Sequence, residues 1–150
     1  MPPPRGRGGL TLIELVVAVA LVAALAAVAL PTYRAHVEKG RIGLAVRDIG
    51  EISLVLERHF TDKSRYPADL ASVGLARVDP WGNAYVYLSM EGAKKNDARK
   101  DKSLHPLNTD YDLYSKGPDG VSQVPLTAKA SRDDIIRANN GGFIGKASDY

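Results

Sequence analysis

The sequence predicts an α+β protein in which a long amino-terminal helix, apolar in its first half, packs on a small antiparallel β-sheet. Three segments predict this class. An unbroken apolar run covers residues 10–30, an amphipathic helical pattern covers residues 31–62, and β-rich stretches separated by turn residues occur within residues 63–150. Residues 1–9 precede the helix as a polar leader.

The composition limits the classes of protein to which the chain can belong. The chain has 150 residues, enough for one domain with a modest core, and a formal net charge of +3. Arg5 and Arg7 lie in the leader, so the rest of the chain is close to neutral and the charge is a weak indication of nucleic-acid binding. The absence of cysteine excludes a disulfide scaffold, a thiolate metal site, a lipoprotein anchor and a cysteine nucleophile.

The apolar run over residues 10–30 is long enough as a helix to cross a membrane. At about 1.5 Å per residue it reaches roughly 31 Å, and the hydrocarbon core of a bilayer is about 30 Å thick. Glu14 lies near the start of this run, where a charged side chain costs on the order of 2.5–3.5 kcal/mol on insertion scales. This cost predicts that Glu14 has a partner or a function.

Two simpler interpretations of the run remain open. One is a secretory signal peptide, with a cleavage site among the small residues at 24–26 or 27–29. Its hydrophobic region is usually about 7–15 residues long and uncharged, which disfavours this interpretation. The other is a plain signal anchor, which leaves Glu14 and the pair Gly8-Gly9 unexplained.

The segment around Glu14 resembles the processing site of the type IV pilin and pseudopilin superfamily. The matching residues are Gly9-Leu10-Thr11-Leu12-Ile13-Glu14-Leu15, followed by the apolar run and by Pro31. The resemblance implies that a prepilin peptidase cleaves between Gly9 and Leu10 and then methylates the new amino terminus of Leu10. It also implies that Glu14 and Pro31 take part in assembly. One departure is Leu10 itself, where phenylalanine is commoner in the family.

The resemblance supplies a partner for Glu14. Cleavage leaves an ammonium group on Leu10, and in a filament Glu14 is implied to meet the Leu10 ammonium of a neighbouring subunit. Each charge is costly alone in hydrocarbon and much less costly when paired. We therefore expect Glu14 to favour correct docking of subunits. The simpler alternative is an acid tolerated near the membrane interface.

The second half of the predicted helix carries one apolar face. Pro31 lacks an amide donor, which predicts a kink or loosened turn around residues 28–30. Beyond it, apolar residues recur at steps of three and four, as on one side of a helix. These residues are Ile42, Val46, Ile49, Ile52, Leu56 and Phe60. We expect this face to pack on the C-terminal domain.

Two pairs of turn and strand are predicted in the C-terminal domain. The turn Asp-Pro-Trp-Gly-Asn at residues 79–83 precedes a β-rich run at residues 84–88, and Trp81 is expected in the core. A second strand at residues 111–115 precedes a turn at residues 116–120. Both pairs resemble segments of the major pseudopilins of the type II secretion system.

This narrower resemblance also implies a calcium site in the loop that follows. Asp119, Asp133 and Asp134 are the candidate carboxylate ligands, together with backbone carbonyls, because calcium takes about six to eight oxygen ligands. Arg132 stands where the family pattern has an aspartate, which is a departure.

Another interpretation of the same acids remains open. Residues 131–134 have the composition of a helix cap, and they would then begin a short helix over residues 135–138. After them, residues 139–142 are predicted to form a tight turn, and residues 143–145 a final strand or a tucked tail.

The sequence contains no signature of an enzyme. His36, His59 and His105 are scattered, and no nucleophile elbow, phosphate-binding loop or zinc-ligand spacing occurs. The basic segment at residues 91–102 lacks interleaved aromatic residues, which is more typical of a solvated loop than of a nucleic-acid site. We predict a protein that is not an enzyme and has no nucleic-acid partner.

The resemblance implies a structural function. A major pseudopilin is held in the bacterial inner membrane by a single helix, with its C-terminal domain in the periplasm, and polymerises into a periplasmic helical filament that drives protein export. The implied partners are further copies of the chain, the prepilin peptidase, the inner-membrane assembly platform with its secretion ATPase, and minor pseudopilins. Two other classes stay open. These are a type IV pilin or minor pilin for adhesion, motility or DNA uptake, and a signal-anchored or secreted periplasmic enzyme.

Overall fold

A computed structural model describes residues 9, 11–94 and 96–150 of the chain. In this part, one long α-helix is followed by four β-strands and several short 3₁₀ turns. The elements are α1 (Leu12–Lys63), β1 (Val86–Ser89), β2 (Tyr111–Ser115), β3 (Ile135–Ala138) and β4 (Phe143–Lys146). The predicted α+β class is confirmed.

The strands form an antiparallel sheet in which each strand pairs with its neighbour in sequence. The order is β1-β2-β3-β4, so β1 and β4 are the edges. Tyr87 lies opposite Leu113, and Ile136 lies opposite Tyr114 on one side and Gly145 on the other. Strands β2 and β3 are largely buried, which places the centre of the sheet in the core.

The structure differs from the open alternative at residues 135–138. They form strand β3, and no helix begins after residues 131–134. Ile135 and Ile136 are β-branched, are almost fully buried and pair with both β2 and β4. Pairing with strands distant in sequence therefore outweighs the local capping signal.

The helix continues through the position at which the sequence predicted a kink or loosened turn. Pro31 lies inside α1, and the helical assignment is continuous on both sides of it. The Thr32 hydroxyl donates a hydrogen bond to the Val28 carbonyl at 3.0 Å. This contact gives one of the carbonyls in the turn before Pro31 an additional donor.

The chain divides between Glu38 and Lys39 into two compact units. In the first unit, the apolar side chains of α1 point in all directions and most of them are exposed. A helix that is apolar all round suits lipid or the interior of an assembly. By its length and composition, the apolar part of α1 is able to cross a membrane.

The second unit contains the hydrophobic core. Ala45, Ile49, Ile52 and Leu56 lie on one face of α1 and are fully buried. They pack with Leu70, Tyr85, Tyr111, Leu113 and Ile135, and Trp81 lies against the same cluster as predicted.

The predicted apolar face is confirmed in its middle and corrected at its end. Ile42 and Val46 are partly buried against the core, whereas Phe60 is 42% exposed. The Phe60 ring stacks on Tyr66, with the ring centroids 4.6 Å apart, so this contact replaces burial under the sheet.

Polar contacts fix the rotation of α1 on the sheet. Asp48 accepts a hydrogen bond from the Tyr85 hydroxyl at 2.9 Å. About two and a half turns further along, Glu57 accepts a hydrogen bond from the Tyr111 hydroxyl at 3.3 Å and lies 3.7 Å from the Arg137 guanidinium. These pairs hold the apolar face towards the core at two separate levels.

We predict that Leu56→Ala destabilises the chain far more than Leu54→Ala. Leu56 is 0% exposed and Leu54 is 71% exposed, although both lie in the same helical segment. The first substitution leaves a cavity that costs about 2–5 kcal/mol, and the second should stay within about 0.5 kcal/mol. Denaturant unfolding of the full chain in detergent micelles measures both. Equal effects would show that this face does not form the core.

Candidate functional site

The amino-terminal site is a reciprocal set of hydrogen bonds between Thr11 and Glu14. The Thr11 backbone N–H and the Thr11 hydroxyl both donate to Glu14 Oε2, each at 2.8 Å. In return, the Glu14 backbone N–H donates to Thr11 Oγ1 at 3.3 Å. This arrangement is a capping box, in which two side chains satisfy amide groups that the first turn of a helix leaves unpaired. It marks the beginning of α1.

This local function of Glu14 was not predicted from the sequence, in which Glu14 was interpreted as the partner of a neighbouring subunit or as an acid tolerated near the membrane interface. The signal for it was present, because Thr-x-x-Glu before an apolar run predicts a capping box. The two functions are compatible. Both Thr11 contacts use Oε2 of the carboxylate, and an ionised carboxylate can accept about four hydrogen bonds in total.

Of the other residues predicted for processing and assembly, Gly9 and Pro31 belong to the described part of the chain. Gly9 is exposed. Leu10, the predicted site of cleavage and methylation, lies outside the described residues. Pro31 is exposed within α1. Cleavage, methylation and assembly at these positions stay predictions.

A second site forms where the two C-terminal motifs meet, at the end of β2. The Asp79 carboxylate accepts hydrogen bonds from the backbone N–H of Trp81 at 3.0 Å and of Asn83 at 2.9 Å. Its other oxygen accepts a hydrogen bond from the Ser115 hydroxyl at 2.5 Å. The Asn83 side-chain amide donates to the Gly117 carbonyl at 3.1 Å. The turn at residues 79–83 therefore supports the turn that follows β2.

Gly117 allows the end of β2 to approach β3 closely. Its φ angle is +64°, which L side chains rarely adopt, and a Cβ atom there would lie 2.4 Å from the Asp133 carbonyl oxygen. Only glycine fits this position without displacement of the backbone before β3.

The structure brings two of the three predicted calcium ligands to one cavity. Asp119 and Asp133 line a cavity of about 740 Å³. Asp134 does not line it and is fully buried instead. Asp134 Oδ2 accepts hydrogen bonds from Arg99 Nη2 at 2.7 Å and from the Ser122 hydroxyl at 2.6 Å.

This arrangement does not fit a calcium site that uses all three carboxylates. No cluster of three or more acidic, histidine or cysteine side chains suited to a metal ion occurs among the described residues. Asp134 is already bound to a cation, and basic side chains share the cavity with the other two carboxylates. These are Lys129, Arg132 and Lys146. Calcium binding stays a prediction.

We predict that Gly117→Ala lowers stability more than Gly74→Ala. Both glycines have φ angles near +70°, but nothing lies within 4 Å of a Cβ atom built at Gly74. The left-handed conformation costs an alanine about 1–2 kcal/mol at either site. At Gly117 the clash with Asp133 adds to this cost, for a total of about 3 kcal/mol or more. Denaturant unfolding compares the two variants, and equal losses would contradict the close approach.

The chain is similar in sequence to a family model at its amino terminus and to known proteins over most of its length. Residues 4–30 match the family model of the prokaryotic N-terminal methylation motif. The chain is 30% identical over 148 residues to the type IV major pilin protein PilE of Neisseria gonorrhoeae, which covers 92% of this chain and 86% of that protein. It is 28% identical over 138 residues to the type II secretion system core protein G of Pseudomonas aeruginosa, which covers 77% of this chain and 87% of that protein.

A third relative matches a shorter stretch. The chain is 37% identical over 68 residues to the fimbrial protein EcpC of Eikenella corrodens, a match that covers 45% of this chain and spans only 44% of that protein's length. No solved structure gives a significant match.

Proposed function

The chain belongs to the type IV pilin superfamily, and on this basis we propose that it is the major pseudopilin of a type II secretion system. Its subunits would polymerise into a periplasmic filament that drives protein export. The observation that carries the proposal is the similarity to core protein G, which extends over 87% of that protein. The contact between the turn at residues 79–83 and the segment at residues 111–120 adds support, because these are the segments that resemble major pseudopilins.

We propose that α1 stores the subunit in the inner membrane before assembly. The methylation motif and the exposed apolar part of α1 fit a membrane-anchored protein with an extramembrane domain. In the proposed topology this domain lies in the periplasm. The prepilin peptidase acts at the other side of the membrane, where it cleaves between Gly9 and Leu10 and methylates Leu10.

The capping box explains how Glu14 is tolerated before assembly. Thr11 satisfies one carboxylate oxygen through two hydrogen bonds, which lowers the cost of placing the acid near hydrocarbon. The same bonds hold the carboxylate beside the first turn of α1, close in sequence to Leu10. In the proposed filament, the Leu10 ammonium of a neighbouring subunit binds this pre-oriented carboxylate.

The apolar part of α1 then forms the interior of the filament. Burial of apolar surface contributes about 25 cal/mol per Å², so residues 12–30 need a cover of lipid or of other subunits at every stage. Removal of the helix from the membrane is therefore coupled to its docking against further copies of the chain. The assembly platform with its secretion ATPase supplies the work, and minor pseudopilins are further partners in this proposal.

A second candidate function is that of a type IV pilin subunit in a surface filament. The similarity to PilE favours it, with 30% identity over 86% of that protein. Both functions use the same processing and the same helix packing. They differ in the destination of the filament and in what the cell loses without it.

Deletion of the gene in the source bacterium separates the two functions. As a pseudopilin mutant, the strain should retain normally exported proteins in the periplasm while surface pili and surface motility stay unchanged. Expression of the chain in trans should restore export, and the proteins of the culture medium are measured by mass spectrometry. Loss of surface pili with normal export would contradict the proposal and support the pilin alternative.

We predict that Glu14→Leu blocks assembly but not insertion or cleavage. Without the carboxylate, the Leu10 ammonium of the neighbour has no partner, which costs roughly 2.5–3.5 kcal/mol, or on the order of 100-fold in docking. Electron microscopy of sheared filaments after overproduction measures assembly, and a gel shift measures cleavage. Leu15→Ile serves as the control and should assemble normally. Normal filaments of Glu14→Leu would show that the pairing is not required.

A further inference from the structure

Arg99 is a buried cation that joins separate parts of the C-terminal unit. It lies in the connection between β1 and β2 and is 3% exposed. Its Nη1 donates to the Ser122 hydroxyl and, at 2.9 Å, to the Gln123 carbonyl, while its Nη2 donates to Asp134 Oδ2 at 2.7 Å. The guanidinium carbon also lies 4.3 Å from the centre of the Tyr114 ring. One side chain therefore contacts β2, the loop after it and the residue before β3.

The backbone around Arg99 is held in place as well. The Arg99 N–H donates to Asp112 Oδ2 at 2.6 Å, and Asp112 is itself buried on β2. The next residue, Lys100, donates its N–H to the Val124 carbonyl and accepts from the Leu126 N–H, both at 3.0 Å. These bonds fix the direction in which the Arg99 side chain leaves the loop.

The carboxylate of Asp134 is the anionic partner of Arg99 and is fully buried. Burial raises the pKa of Asp134 to about 6, although Ser122 and Arg99 act in the opposite direction. The guanidinium of Arg99, 2.7 Å from Oδ2, favours the ionised form of this carboxylate. An ionised carboxylate that is fully buried is strongly destabilising unless it is paired. The guanidinium of Arg99 supplies that pairing from within the chain.

We infer that Arg99, and not a calcium ion, joins Asp134 to the loop after β2. The predicted ion would have joined Asp134 to oxygen atoms of the loop after β2. The guanidinium makes these connections, to Asp134 on one side and to Ser122 and Gln123 on the other. A second cation on the same carboxylate oxygen would be repelled by the guanidinium at close range.

Arginine suits this position better than lysine. Its planar guanidinium offers five donors in a fixed fork, and three hydrogen bonds from it reach acceptors on two segments of the chain. The flat face also stacks on Tyr114, as guanidinium groups do on aromatic rings. The inference concerns the stability of the domain and holds for either a pseudopilin or a pilin.

Thermal unfolding of the full-length chain in detergent micelles tests the inference. Trp81 fluorescence is followed in excess calcium chloride and in excess EGTA. We expect the wild-type chain to have the same Tm in both solutions. Arg99→Met should lower Tm by roughly 10 °C or more in both, because it leaves the Asp134 carboxylate buried and unpaired. Lys102→Met, which removes an exposed cation from the same connection, should leave Tm unchanged.

Two results would overturn the inference. One is a wild-type Tm that is clearly higher in calcium than in EGTA, with the difference abolished in Asp134→Asn. The other is an Arg99→Met chain with the wild-type Tm. If Arg99→Met does not fold, the double variant Arg99→Met/Asp134→Leu decides, because it removes both charges. Recovery of folding in the double variant supports the ion pair, and failure to recover contradicts it.

Discussion

The apolar face that α1 buries against the sheet is the contact on which the rest of the C-terminal unit depends. Ile49, Ile52 and Leu56 are fully excluded from solvent. Their burial sets the rotation of the helix, and this rotation brings Asp48 and Glu57 to their partners on the sheet. A sheet with one apolar face must bury that face against another layer, and α1 supplies this layer.

The long connections from β1 to β2 and from β2 to β3 are held by polar contacts, because few of their residues belong to the apolar core around Ile49 and Tyr111. A smaller apolar cluster around Ile136 covers part of them. Otherwise, Asp79 with Ser115 holds the turn before β1 to the end of β2, and Arg99 with Asp134 holds the long connections together. The two units of the chain therefore differ in how they treat apolar surface. The first unit exposes most of its apolar side chains, whereas the second buries a core and pairs internal charges.

Features with a local signal could be predicted from the sequence, whereas features that rest on distant partners could not. The helix and strand β2 follow from periodicity and β propensity, and the processing motif is contiguous. For residues 135–138 the local sequence suggested only a short helix, and strand β3 was not predicted, because it forms by pairing with β2 and β4, which are distant in sequence or follow it. Arg99 was predicted to lie in a solvated basic loop. It is buried instead, and its guanidinium pairs with the carboxylate of Asp134, which is 35 residues away in the sequence. The capping box of Thr11 and Glu14 is an exception, because its pattern Thr-x-x-Glu is local in the sequence and yet it was not among the predicted features.

The amino terminus of the mature protein shows whether the chain is a processed filament subunit, in which the new ammonium of a neighbour binds Glu14. Mass spectrometry of the protein extracted from membranes determines where the chain begins and whether it is modified. We expect a chain that starts at Leu10 and carries one methyl group on its amino nitrogen. A chain that starts after Ala26 or Ala29 would contradict it, because the apolar part of α1 and Glu14 would then be removed as a signal peptide.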